Sequence, residues 1–412
     1  MVNAHWRFNA AIAMALMTVL AAPFCAAAGY TPWAEENLPM HLLWGDTHLH
    51  SSYSVDANTM GNTALSPADA YRFARGEAVR ANNGMLARLD IPLDFLVVSD
   101  HAELMGIMLK LREGDPRLLE NPAAKRIHEV MANANPYQFG MIGSTDSHTS
   151  LATAAEDNFW GKASMVEPGT DRTSGDPSGP FGSSHPDTEL TKGWTFGASG
   201  YAAVWARGNT REAIFEAMRR REVYATTGSR ISLRFFAGWD FEAEDAAKPH
   251  AVRIGYRKGV PMGSELGAAT TRAPGFMLIA MKDPQGANLD RVQVVKGWRD
   301  ASGALHEKVY NVAVSENREI AADGHVDPLK ATVDLDGATY LNTIGEAQFS
   351  VYWQDPQFDP AEAAFYYARV IEIPTPRWTV YDAVRLGKTL NAADPKIVQD
   401  RAYSSPIWYN PE

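Results

Sequence analysis

Thiols are almost missing from this chain: Cys25 is the single cysteine among 412 residues. An internal disulfide is therefore excluded, and so is any metal site built from several thiolates. Positive charge is in deficit, with 38 Lys plus Arg against 49 Asp plus Glu and a formal charge of −11. No basic run offsets this, so nothing resembles an electrostatic footprint for nucleic acid. Apolar runs approaching the length of a membrane span are lacking after residue 30. Repeats of fixed period are lacking too, as are a Gly-x-Ser-x-Gly elbow, a Walker loop and a dinucleotide fingerprint. What is present is an ordinary globular composition, 45% apolar and 21% charged, long enough for two domains or for one barrel with an appendage. Eleven Trp, fifteen Tyr and sixteen Phe suffice to cover a sizeable core or to line a cleft.

The N-terminus reads as a secretory signal. His5 and Arg7 precede an apolar run from Ala10 to Ala22, and Ala26-Ala27-Ala28 offers a small-residue cleavage site before Gly29. Phe24 before Cys25 argues against lipoprotein-type cleavage. Residues 1–28 are thus expected to leave, Cys25 with them, and the mature chain to be periplasmic or secreted without thiols.

The remainder suggests an α/β domain over residues 41–230 and a β-rich, sandwich-like domain over 231–412. His41–Trp44, Leu93–Val98 and Phe139–Gly143 read as buried strands, each followed by polar residues. Ser66-Pro67 caps a helix, and Thr210 caps another over 211–221 that leads into the strand Val223–Thr226. Residues 102–111 and 122–132 look helical, and residues 166–199 form a long Gly/Ser/Pro-rich loop. After Arg230, short strand-like runs alternate with turns: Phe276–Met281, Val292–Val295, Val309–Val314, Phe349–Trp353 and Phe365–Ile373. Strands alternating with helices and ending in polar residues place a site at the strand C-termini.

Three short strings carry the chemistry. In Asp46-Thr47-His48-Leu49-His50 the two imidazoles lie two apart, which on a strand puts them on one face, as a divalent metal requires. Asp46 is placed to orient one of them from behind, and Asp56 lies six residues further on. Ser99-Asp100-His101 and Asp146-Ser147-His148 repeat the pairing of carboxylate and imidazole at two more strand ends. Three independent strand ends of this kind point to a polynuclear metal centre. Lys162 and Arg377 are either anchors for an anionic substrate or surface charges. His128, His185 and Glu103 read as solvated residues.

The run from Gly45 to Ser54, with Ser99-Asp100-His101 and Asp146-Ser147-His148, resembles the polymerase and histidinol phosphatase (PHP) superfamily. More closely, the chain resembles the bacterial exported family known as domain of unknown function 3604. The strings Gly143–Thr149, Glu156–Lys162, Arg221–Thr226, Ile373–Trp378 and Arg401–Tyr409 match that family, so the likeness runs from about Trp44 to the C-terminus. The resemblance implies a distorted βα barrel with up to three zinc, manganese or iron ions that activate water against a phosphoester. It implies His48, His50, Asp56, His101, Asp146 and His148 as metal ligands, Asp146 and His101 as catalytic groups, and Asp46 and Asp100 as supports behind the ligands.

One departure alters that expectation. Only forty-four residues separate His101 from Asp146, and the Gly-Tyr-Glu, Asn-Leu-His-Arg and Pro-His-Asn elements of the family are missing there. A bridging Glu and two His ligands go with them. An internal deletion predicts an open or incomplete PHP-like barrel with fewer than three metals and weak or absent turnover. The expected protein is an exported metal-dependent hydrolase of a small anionic phosphoester-like molecule. Its alternatives are a metal- or ligand-binding remnant without turnover, and a hydrolase of sulfate or other anionic esters.

Overall fold

The computed structural model describes residues 38–101, 116–122, 125, 139–170, 172, 193–197, 200–267, 272–390, 392 and 394–411. The expected signal segment, the expected helix over 102–111 and most of the expected loop 166–199 lie outside the described residues, as do Glu103, His128 and His185.

A ten-stranded sheet organises the compact unit Pro39–Glu412. Its first strand, β1 (His41–Leu49), pairs in parallel with β2 (Phe95–Val98) and antiparallel with β3 (Tyr201–Ala206), which pairs with β4 (Val223–Thr226). From β4 the sheet continues through Arg401–Ser404, Ala363–Glu372 and Leu289–Arg299 to the edge strand Leu305–Val314. Nearly all of it is antiparallel. The physical reason is visible in the connections: the short turn at 300–304 between the last two strands can return a chain only antiparallel, whereas a parallel pair needs a crossover of a dozen or more residues. The expected α/β class holds in the coarser form of a fold that is mostly sheet, with few helices and no closed barrel among the described residues.

Local signals were strong where side chains meet their own backbone. Ser66 caps the helix α1 (Pro67–Ala74) through a reciprocal capping box with Asp69. Thr210 accepts from the Ala213 N–H at the start of α2 (Arg211–Arg219). The expected third strand, Phe139–Gly143, is different: it joins no ladder, and Phe139 and Ile142 are half exposed. Met141 instead donates its N–H to the Ser405 hydroxyl, and a Cβ on Gly143 would stand 2.3 Å from the Tyr201 carbonyl. The segment crosses close over the start of β3, and only glycine allows that approach.

A second sheet, Gln348–Gln354, Gly275–Met281, Ser232–Gly238 and Val260–Pro261, shares the main hydrophobic core with the larger one. Phe276 on it meets Tyr366 of the larger sheet at 4.6 Å between ring centroids and stacks on Phe235 at 5.6 Å. Aromatic pairs of this kind add about 0.5–1.5 kcal/mol each beyond the area they bury. Among the described residues no helix is long and apolar enough to cross a membrane.

Candidate metal centre

The centre forms where β1 runs out. Leu49 is fully buried, so period-2 alternation turns His48 and His50 to the opposite face together. His50 is buried and His48 half exposed, with their Nε2 atoms 3.0 Å apart. Segment 145–148 runs beside this end through Asp146 N–H to His48 O (2.8 Å) and His50 N–H to Ser147 O (2.9 Å). That pairing brings Asp146 Oδ1 within 3.4 Å of His48 Nε2 and 3.2 Å of His50 Nε2. Asp146 reaches this position with φ +48°, a left-handed conformation that Asp tolerates better than most residues.

Asp56, on the short helix Val55–Thr59, assembles the other side. Its Oδ2 lies 3.0 Å from His101 Nε2 and 2.9 Å from His148 Nε2. The His50 ring stacks on His148 and on His101, at centroid distances of 4.3 and 4.9 Å. All six ligands expected from the sequence therefore converge, from three segments that are distant in the chain.

Hydrogen-bond accounting fixes where the lone pairs point. Ser54 Oγ donates to Asp56 Oδ1 (2.6 Å) and accepts the His101 N–H (3.1 Å), so its contact with His50 Nδ1 (3.1 Å) makes His50 the donor there. The bare Nε2 of His50 then faces His48 Nε2 and Asp146 Oδ1. His148 likewise gives its Nδ1–H to the Asp146 carbonyl (2.9 Å), leaving a bare Nε2 against the Asp56 carboxylate. Burial, opposed by Asp56, pushes the His148 pKa down, so the ring stays neutral at pH 7. Burial acts to raise Asp56 and Asp146, yet the Ser54 hydroxyl and Ala57 N–H at Asp56, and Lys162 at Asp146, work against it, and both carboxyls lie well below the usual range.

Acceptors pressed together in this way repel unless a cation stands between them. A tetrahedral zinc-like ion with ligands at about 2.0–2.1 Å has ligand–ligand edges of about 3.3 Å. The observed edges of the His48, His50 and Asp146 triangle are 3.0, 3.2 and 3.4 Å. His50, Asp56 and His101 form a second group of matching size. The donor set fits a divalent metal; it does not by itself select zinc, manganese or iron.

The supports differ from expectation. Asp46 is fully buried and touches no imidazole: it accepts from the His48 N–H and from the Thr145 N–H and hydroxyl, clasping segment 145–148 to β1. Burial, partly countered by those bonds, raises its pKa to about 6. Asp100 accepts the Ser51 N–H and hydroxyl, both at 2.6 Å, and so pins the turn after β1 to the end of β2. Both carboxylates hold backbone in place and do not hold ligand rings, because the strand ends they join would otherwise leave buried N–H groups unpaired. Arg377 spends its guanidinium on the Trp194 and Phe196 carbonyls and is not turned toward the histidines. Lys162 was left ambiguous by the sequence; its Nζ binds both the carbonyl and the Oδ2 of Asp146. Ser54 and Thr145 went unnoticed, and the only signal for Ser54 was a hydroxyl four residues after His50.

Neither curated proteins nor solved structures contain a match to this chain. A family model described as protein of unknown function (DUF3604) matches residues 37–134 and 129–411. With the match extending over nearly all of the sequence, and with the six clustered side chains lying inside it, the chain belongs to the DUF3604 family.

Proposed function

We propose that this protein is an exported, metal-dependent hydrolase of small phosphoester-like molecules, built on a PHP-type barrel opened by an internal deletion. The observation that carries the reading is the His48, His50 and Asp146 triangle, whose edges suit one divalent ion. A bound ion would supply Lewis acidity and a water of lowered pKa. Within the chain, His48, His50 and Asp146 would hold one ion and His50, Asp56 and His101 the other, with His148 against Asp56 beside them. His101, with its side chain 60% exposed and its Nε2 on Asp56, forms the solvent-facing side of the second group. Lys162, ion-paired with Asp146, offers positive charge to an anionic substrate at the same edge. The family match breaks into two stretches at residues 129–134, as a missing internal piece would produce.

The same missing piece favours one rival, a metal-binding remnant without turnover. Metal analysis of the purified chain, with chromogenic phosphomonoesters, phosphodiesters and sulfate esters assayed under added zinc or manganese, separates the readings. We expect one or two ions per chain and weak phosphoester hydrolysis, both lost in His50→Ala. Bound metal with no turnover on any ester selects the remnant, and turnover on sulfate esters alone moves the substrate class. No bound metal in the wild-type chain rejects the proposal.

A further inference from the structure

A second polar site lies apart from the histidines. A cavity of about 220 Å³ is lined by Asp90, Glu156, Asp157, Asp283, Glu372 and Asp400. Glu372, Asp400 and Asp283 are buried at 2, 9 and 8% exposure, whereas Asp90 and Asp157 are exposed. None of the six forms an ion pair among the described residues. The nearby cations are committed to backbone carbonyls: Arg230 to Ile91 and Pro92, Lys282 to Asp283 and Gly286, and Arg385 to Asp157.

Asp283 accepts through both oxygens, from the Arg230 and Gln285 N–H groups, but three of the other carboxylates are only half satisfied. Glu372 accepts from the Ser229 hydroxyl, Asp400 from the Thr227 hydroxyl (2.7 Å) and Glu156 from the Trp378 N–H (2.6 Å), each through one oxygen. The second oxygen of each has no donor among the described residues. Glu372 is almost fully buried and lines the cavity, so its unpartnered oxygen opens there. Leaving buried carboxylates unpaired is costly. Burial and neighbouring carboxylates hold Glu372 and Asp400 above their ordinary range, and burial raises Glu156 to about 7.

We propose that this cavity binds a small aliphatic amine carrying one or two ammonium groups, independently of the hydrolase reading. Two observations choose an organic cation over a bare ion. Among the described residues the groups of three ligand atoms close enough for one metal both lie at the histidines. Tyr340 and Tyr381 also line the cavity, and aromatic faces beside carboxylates suit ammonium groups. The volume accommodates a ligand of roughly six to eight non-hydrogen atoms.

The test is calorimetric titration of the full chain at pH 8 with 1,4-diaminobutane, with neutral 1,4-butanediol and with calcium chloride. The expected result is saturable diamine binding, absent for the diol, and weakened about tenfold or more by Glu372→Gln or Asp400→Asn. Thermal melting checks that these variants fold; should they fail, the exposed Asp90→Asn is expected to weaken binding by roughly threefold. Diamine heats equal to those of the diol overturn the proposal. So does binding undiminished in folded variants, which would be general attraction to an acidic chain. Calcium binding more tightly than the diamine also overturns it, by making the cavity a divalent-cation site.

Discussion

The histidine cluster and the acidic cavity are both concentrations of acceptors, yet they differ in how their hydrogen bonds are settled. At the histidines two ring protons have named partners, Ser54 for His50 and the Asp146 carbonyl for His148, so the bare Nε2 of each faces a carboxylate. Their spacings of 3.0–3.4 Å suit one ion. In the cavity, neutral hydroxyls and one N–H satisfy a single oxygen of Glu372, Asp400 and Glu156, and the remaining oxygens of these three lie around open volume. Two acidic sites in one chain can thus demand cations of different size, and the spacing of the acceptors decides which.

Four measurements would break or sharpen that contrast. The largest effect is expected from His50→Ala, since His50 belongs to both metal groups. Metal affinity should fall by about 100-fold or more, while diamine binding in the cavity stays as it was; loss of both would mean that the sites are one. Next is the pH dependence of stability in metal-free protein. Glu156 is raised from 4.5 to about 7 by burial, so the folded state holds its proton more tightly than the unfolded chain. Stability should therefore increase as pH falls from about 7 toward 4.5, by of order 2–3 kcal/mol, and Glu156→Gln should remove that increment from urea melts. A profile identical in the variant would show that the cavity does not desolvate this group.

Smaller shifts test the details. Lys162→Met removes a cation that competes for Asp146, and metal affinity should rise about two- to fivefold while hydrolysis of anionic esters slows. Tighter metal binding with unchanged turnover would confine Lys162 to a structural role. Thr210→Ala should cost only about 1 kcal/mol, through the lost cap of α2, and leave both sites unaltered. A change in either site would show that α2 is coupled to it.

How far the fold could be read in advance followed the range of the interactions. The capped helices at Ser66 and Thr210 and the strands near Val223 and Phe276 were legible because a side chain bonding its own backbone, or an alternating apolar run, is local. Phe139–Gly143 misled because an apolar run containing glycine resembles a buried strand; the glycine serves a close crossing over Tyr201 instead. Of the six clustered residues, His48 with His50, His101, and Asp146 with His148 were legible from three carboxylate–imidazole strings, and Asp56 from its place six residues after His50. The duties of Asp46 and Asp100 were not, since a carboxylate beside a histidine has the same spacing whether it holds the ring or the backbone.

By itself the sequence determined that His48 and His50 share a face, because strand alternation has a period of two residues. It determined too that no site in the chain can be built from several thiolates, because Cys25 is the single cysteine. Only tertiary structure decided that Asp56, His101 and His148 meet on the other side of His50, and that carboxylates from Asp90 to Asp400 surround one cavity. The reason is physical: alternation says which face a side chain takes, while the order of strands in a sheet says which neighbours it meets. That order is set by how the strands pack and connect, and no local pattern encodes it.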